Sequence, residues 1–197
     1  MDRKIKGHLA IEKLNNDGTS EFIFDEDNVI VSGMGVGLSY LFAGSGSDTI
    51  LDFKLDRIQL GVSGHDDLQD SSTYQLSGAL SSVNEYTGGS SNLITSENNV
   101  IENGSLSVDT SAFSLVPHNK IAKVGPTSVR YIIVIDSESC NGLERDGADA
   151  ALNEIGLFMK NYTGYNADRP ILVAYRKFTN IIKTSDFSLI FYWTISF

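Results

Sequence analysis

The chain of 197 residues carries one cysteine and three histidines, and it has no lysine or arginine between Arg57 and Lys120. Each scarcity closes off a class of function. A single cysteine, Cys140, excludes an internal disulfide and any four-thiolate metal site. It lies in S-E-S-C-N-G with no histidine beside it, so it does not read as a catalytic thiol, which needs a neighbouring base or positive charge. His8 and His118 are isolated, and His65 has only carboxylates for company. Spacing therefore assembles neither a zinc set nor a Ser-His-Asp arrangement, and no G-x-S-x-G elbow appears. The chain also lacks any run of about 18 apolar residues, which excludes a membrane-spanning helix by composition. Residues 1–7 lack the apolar stretch of a secretory signal, so the expected compartment is a cytosol.

The shortage of positive charge matters most. The formal net charge is −10 and the pI about 4.6, which opposes binding to nucleic acid through phosphate neutralisation. The 62 residues free of Lys and Arg hold Asp66, Asp67, Asp70, Glu85, Glu97, Glu102 and Asp109. They are rich in Ser, Asn and Gly, a composition that suits turns and short exposed strands but supplies little core. The expectation is an acidic lobe, or a string of long loops, at about 63–119 projecting from one domain that spans 1–197.

What the chain does have is strand pattern. In Asp186 to Phe197, Phe187, Leu189, Phe191, Trp193, Ile195 and Phe197 fall on one face at a period of two. A loose tail of that kind would be an aggregation hazard, so it must dock as a central strand. Lys4 to Leu14 alternates weakly up to the turn signal N-N-D-G at 15–18, and Glu21 to Phe24 is its partner. Phe53 to Val62, Ser128 to Ile135, Leu152 to Met159 and Ile171 to Phe178 complete the set. The β-branched run at 128–135 reads as a strand buried on both faces. One helix is expected over Val29 to Ala43, with Ser32 as N-cap and Gly44 as the stop, although its three glycines weigh against it. This pattern predicts an all-β fold with one short helix, a two-sheet β-sandwich of which the jelly roll is one form.

The remaining motifs carry little chemistry. G-M-G-V-G at 33–37 has its third glycine one position too early for a dinucleotide fingerprint, and no β–α alternation follows. His65, Asp66, Asp67 and Asp70 offer oxygen ligands for a hard cation, but the spacing is not that of an EF-hand and a solvated turn explains it better. E-R-D-G-A-D at 144–149 reads the same way. Tyr74, Tyr86, Tyr162 and Tyr165 sit in loop-like stretches and could stack on a sugar or a protein partner. No catalytic residue, cofactor or metal is expected.

Three C-terminal segments carry a resemblance. L-N-E-I-G-L-F (152–158), I-L-V-A-Y-R-K-F (171–178) and I-I-K-T-S-D-F-S-L-I-F-Y-W-T-I-S-F (181–197) resemble the ending of small virion structural proteins of tailed bacteriophages. G-V-G-L-S-Y-L-F-A-G (35–44) and I-Q-L-G-V-S-G (58–64) are similar to their opening. The likeness covers about half the chain and fades across 65–125; Tyr175 between Ala174 and Arg176 departs from the simpler A-R pairing. It implies a non-enzymatic piece of a capsid surface, collar or tail, assembled in the host cytoplasm as a homo-oligomer that binds other virion proteins. Neither nucleic acid nor membrane is expected as a partner. The structural and interface candidates are Glu154, Arg176, Trp193, Phe197, Tyr162 and Tyr165. Glu154 and Arg176 are expected to pair if their strands are neighbours, and Lys183-Thr184 to contact backbone carbonyls at the turn before the last strand. A glycan- or receptor-binding β-sandwich module is the alternative.

Overall fold

The computed structural model describes residues 5–43, 54–62, 114–145, 148–159 and 171–197. In chain order these form β1 (Lys6–Asn15), β2 (Ser20–Ile30), α1 (Gly33–Ala43), β3 (Leu55–Gly61), β4 (Ser114–Leu115), β5 (Ile121–Gly125), β6 (Ser128–Ile135), β7 (Glu144–Arg145), β8 (Ala148–Asp149), β9 (Leu152–Met159), β10 (Ile171–Ile181) and β11 (Phe187–Ser196). A 3-10 turn at His118–Lys120 precedes β5. The all-β class with one short helix holds. Helix α1 starts at Gly33, so Ser32 stands just before it as expected, while Val29 and Ile30 extend β2 instead. Gly44 and the His65 to Asp70 cluster lie outside the described residues, as does most of the acidic stretch at 63–119.

The main strands belong to one antiparallel sheet in the order β4-β3-β9-β10-β2-β1-β11-β6-β5, rather than to two separate sheets. The turn Asn15–Gly18, with Gly18 at φ +85°, joins β1 to β2. From Ser20 to Asn28, β2 pairs with β1, whereas Val29 and Ile30 pair with Tyr175 and Ala174 of β10. This one strand therefore links a β1–β11 half (β2, β1, β11, β6, β5) to a β9–β10 half (β10, β9, β3, β4). Leu9, Ile11, Ile133, Phe191 and Trp193 of the first share a single apolar cluster with Ile58, Leu60, Ile155, Leu157 and Val173 of the second. The sheet thus curls around its own core. Burying each such side chain contributes roughly 1.5–3 kcal/mol.

Strand β11 is central, as its pattern demands: Lys6–Asn15 runs along one edge and Ser128–Ser196 to Ile135–Leu189 along the other, without a bulge in either ladder. Its burial alternates strictly from Phe187 to Ser196. Phe197 departs from the expectation, being 46% exposed, because it lies past the last ladder pair; its N–H donates to Thr127 O at 2.9 Å. Strand β6 is also corrected. Tyr131, Ile133 and Ile135 are buried but Ile132 and Val134 only half-buried, so one face of this β-branched run packs and the other stays open.

The glycines of α1 have a use that propensity alone conceals. A Cβ on Gly33 would lie 1.9 Å from Leu172 O, and one on Gly37 would lie 2.4 Å from Met159 Sδ, whereas Gly35 faces open space. The i, i+4 pair lets the helix sit directly against the ends of β9 and β10.

Candidate functional site

Where β2 leaves β1 for β10, an asparagine sits in a strand, a residue type that β-structure disfavours. Asn28 is buried, its Oδ1 accepts the Trp193 Nε1–H at 2.8 Å, and its Nδ2 donates to Val29 O at 3.1 Å. Gly7 faces it across the ladder, where a Cβ would come within 2.1 Å of Oδ1. Trp193 is itself fully buried, so its indole N–H needs this acceptor. The expected structural role of Trp193 therefore takes the form of a polar pin at the bend of the sheet.

Beyond the pin, Ser20–Asn28 of β2 and Arg176–Ile181 of β10 diverge and leave a cleft of about 420 Å³ lined by Phe24, Glu26, Val29, Tyr175, Arg176 and Phe178, among others. The Arg176 guanidinium pairs with Glu26 and stands 5.1 Å from the centre of the Phe24 ring. The expected pairing of Arg176 with Glu154 does not form, although β9 and β10 are indeed neighbours. Arg176 lies opposite Ile155, and Glu154 lies opposite Lys177. One residue of offset sends the two side chains to opposite faces of the sheet. Glu154 instead accepts the Tyr175 hydroxyl at 3.1 Å, and its Oε1 has no hydrogen-bond partner among the described residues. It is fully buried and lies over Gly61, where a Cβ would fall 2.2 Å from Oε1.

A third polar centre joins the loop after β6 to the turn before β11. Lys183 is 2% exposed, and its ammonium donates to Thr184 O at 2.7 Å, to Asn141 Oδ1 at 3.1 Å and to Ser137 O at 3.4 Å. The contacts to main-chain carbonyls are those the sequence leads one to expect of Lys183. The Phe187 ring lies 5.1 Å away. Burial is the largest influence on this amine and lowers its pKa, while nearby Cys140, Asp136, Glu138 and Asp186 act the other way. Cys140 is fully buried at φ +60°, and burial pushes its thiol up to about 12. A thiol so disposed is protonated at neutral pH and is a poor nucleophile.

The open face of the β1–β11 half carries shorter-range contacts. The ring nitrogens of His8 face Asp25 at 2.6 Å and Asp27 at 3.2 Å. Arg130 Nε donates to Thr194 Oγ1 at 3.2 Å, and the Tyr192 hydroxyl donates to Glu12 at 2.8 Å. Each of these links adjacent strands. Among the described residues, no group of three His, Cys, Asp or Glu side chains is placed to hold a metal ion, and no helix is long and apolar enough to cross a membrane. Glu144–Arg145 and Ala148–Asp149 of the E-R-D-G-A-D segment form a two-strand ladder. Tyr162 and Tyr165 lie outside the described residues.

The structure thus brings Trp193, Glu154 and Arg176 to the seams between strands, each with a partner that spacing did not reveal. Asn28, Tyr175 and Glu26 are those missed partners. Only Asn28 left a trace in the sequence, as an amide in a stretch that otherwise turns β-branched. No family model, curated protein or solved structure matches the chain.

Proposed function

We propose that this chain is a non-enzymatic structural component of a tailed-phage virion, a rigid β unit that self-assembles and binds neighbouring virion proteins at the capsid surface, collar or tail. One observation carries the reading. The enclosed polar groups with identified partners, Asn28, Lys183 and Glu154, join one strand or loop to another, and the titratable pair Glu154–Tyr175 is buried at both residues. Such an allocation suits a part whose shape is its function. The C-terminal segments that carry the phage-protein resemblance support the same view, since they fall on β9, β10, β11 and the Lys183 turn, elements that supply much of the shared core.

Gradient-purified particles of the virus that encodes the chain provide the test. Mass spectrometry of those particles should recover the protein at a fixed ratio to the major capsid protein, and gold-labelled antibody should mark one station on the particle. Its absence from intact particles, with the protein abundant in the infected lysate, would overturn the reading.

A further inference from the structure

The open face of the β1–β11 half has a charge layout that a flat solvated surface does not need. Ladder pairing places the residues on it in rows across β2, β1, β11 and β6. Asp27, His8, Thr194 and Arg130 form one row, and Asp25, Ala10, Tyr192 and Ile132 form the next. The row after that runs Phe22, Glu12, Ile190 and Val134. Apolar or aromatic, half-buried side chains stand at Ile132, Val134, Ile190 and Tyr192, with half-buried Glu12 beside them, and Phe22 is 62% exposed. The β2 side ends in exposed Asp25 and Asp27, and the β6 side ends in exposed Arg130.

From this arrangement we infer that the face is a homodimer interface, with a second copy of this chain stacked on it about a twofold axis running parallel to the strands between β1 and β11. That axis lays β2 of one copy over β6 of the other, so Asp27 meets Arg130 twice and Phe22 meets Val134 twice. The other in-plane twofold, perpendicular to the strands, sets β2 on β2 and opposes the aspartates. Like charges brought together in this way disfavour it. The inference deepens the building-block reading and rests on it for the expectation of self-association.

The size of the patch fixes the strength. Across the 4-strand span β2–β1–β11–β6 the whole face measures about 19 Å, and along the 8 residues of β6 about 26 Å, roughly 500 Å² per copy. A total of about 1,000 Å² stands at the lower limit for specific association. The contact is therefore concentration-dependent in free protein and gains in an assembly where many copies are held together.

Sedimentation equilibrium of the full chain tests it, with circular dichroism confirming that each variant folds. Wild type should dimerise at tens of micromolar. Ile132→Glu should raise the dissociation constant by roughly tenfold or more. Arg130→Asp and Asp27→Arg should each weaken the dimer, and the two together should restore it, because reversal of both charges re-forms both pairs. A dimer indifferent to Ile132→Glu, or no rescue by the double reversal, overturns this interface while leaving self-association in place. A strictly monomeric wild type also overturns it, and the particle experiment above then decides separately whether the virion reading survives.

Discussion

The two halves of the sheet share one core yet differ in their second face. In the β1–β11 half burial alternates, with β11 and β6 packing one face and leaving the other open. In the β9–β10 half, β3 is buried from Asp56 to Gly61, β9 from Glu154 to Met159 and β10 from Ile171 to Tyr175. Polar residues there are enclosed as well: Arg57, Gln59 and Glu154 are all 3% exposed or less. The difference sets a region enclosed on both faces against one with a face left open. A face enclosed with its polar groups fixed resists change, whereas an open face can accept a partner without unfolding anything.

Substitutions ordered by size sharpen that contrast. Trp193→Ala, in the core common to both halves, should cost about 3–5 kcal/mol through the cavity and the orphaned Asn28 amide, read as a lowered denaturant midpoint. Lys183→Met should cost about 2–4 kcal/mol, since Thr184 O, Asn141 Oδ1 and Ser137 O lose a common donor inside the protein. Gly61→Ala should cost about 1–3 kcal/mol, because the new methyl collides with the Glu154 carboxylate. Ile190→Ser, on the open face, should change monomer stability by about 1 kcal/mol or less. If Ile190→Ser destabilised the chain as much as Gly61→Ala, the contrast between enclosed and open faces would be broken.

Alkaline pH probes enclosed groups on and beside β6 and β11. Burial raises Cys140 from 9.0 to about 12 and raises Tyr131 above its ordinary 10.0, with the Asp56 charge adding to the latter. The folded state therefore favours both neutral forms. Their contribution is complete below pH 9, begins to fall as the unfolded thiol ionises, and falls further above pH 10. Lys183 has the opposite sign. Its pKa is lowered from 10.5, so the fold binds that proton more weakly than the unfolded chain, and stability gains as pH rises through the folded value toward 10.5. Denaturant midpoints between about pH 8 and pH 11 should decline, and Cys140→Ala should delay the onset of that decline. An unchanged onset in Cys140→Ala would assign the alkaline loss to Tyr131 and Tyr192, both raised first by burial.

Legibility in the sequence followed locality. The β1–β2 hairpin was readable because N-N-D-G imposes a turn over four residues, and β9 was read to its ends because its large apolar residues begin at Leu152 and stop at Lys160. The end of α1 nearest β2 was misread, since Val29 and Ile30 fit a helical face as well as a strand and only β10 decides between them. The charges of Glu154 and Arg176 were expected to pair, but their pairing depended on a one-residue offset between strands separated by a loop. Periodicity within each strand is blind to that offset.

Alternation at a period of two by itself determined that this chain forms strands, and that the segment from Phe187 to Ile195 buries one face, because neighbouring side chains on an extended backbone must point opposite ways. The division of the sheet into an open half and an enclosed half came only with tertiary structure. Registry between distant strands and the bend at Asn28 set which faces meet, and those are decided by the summed packing of residues far apart in the chain, which no local pattern encodes.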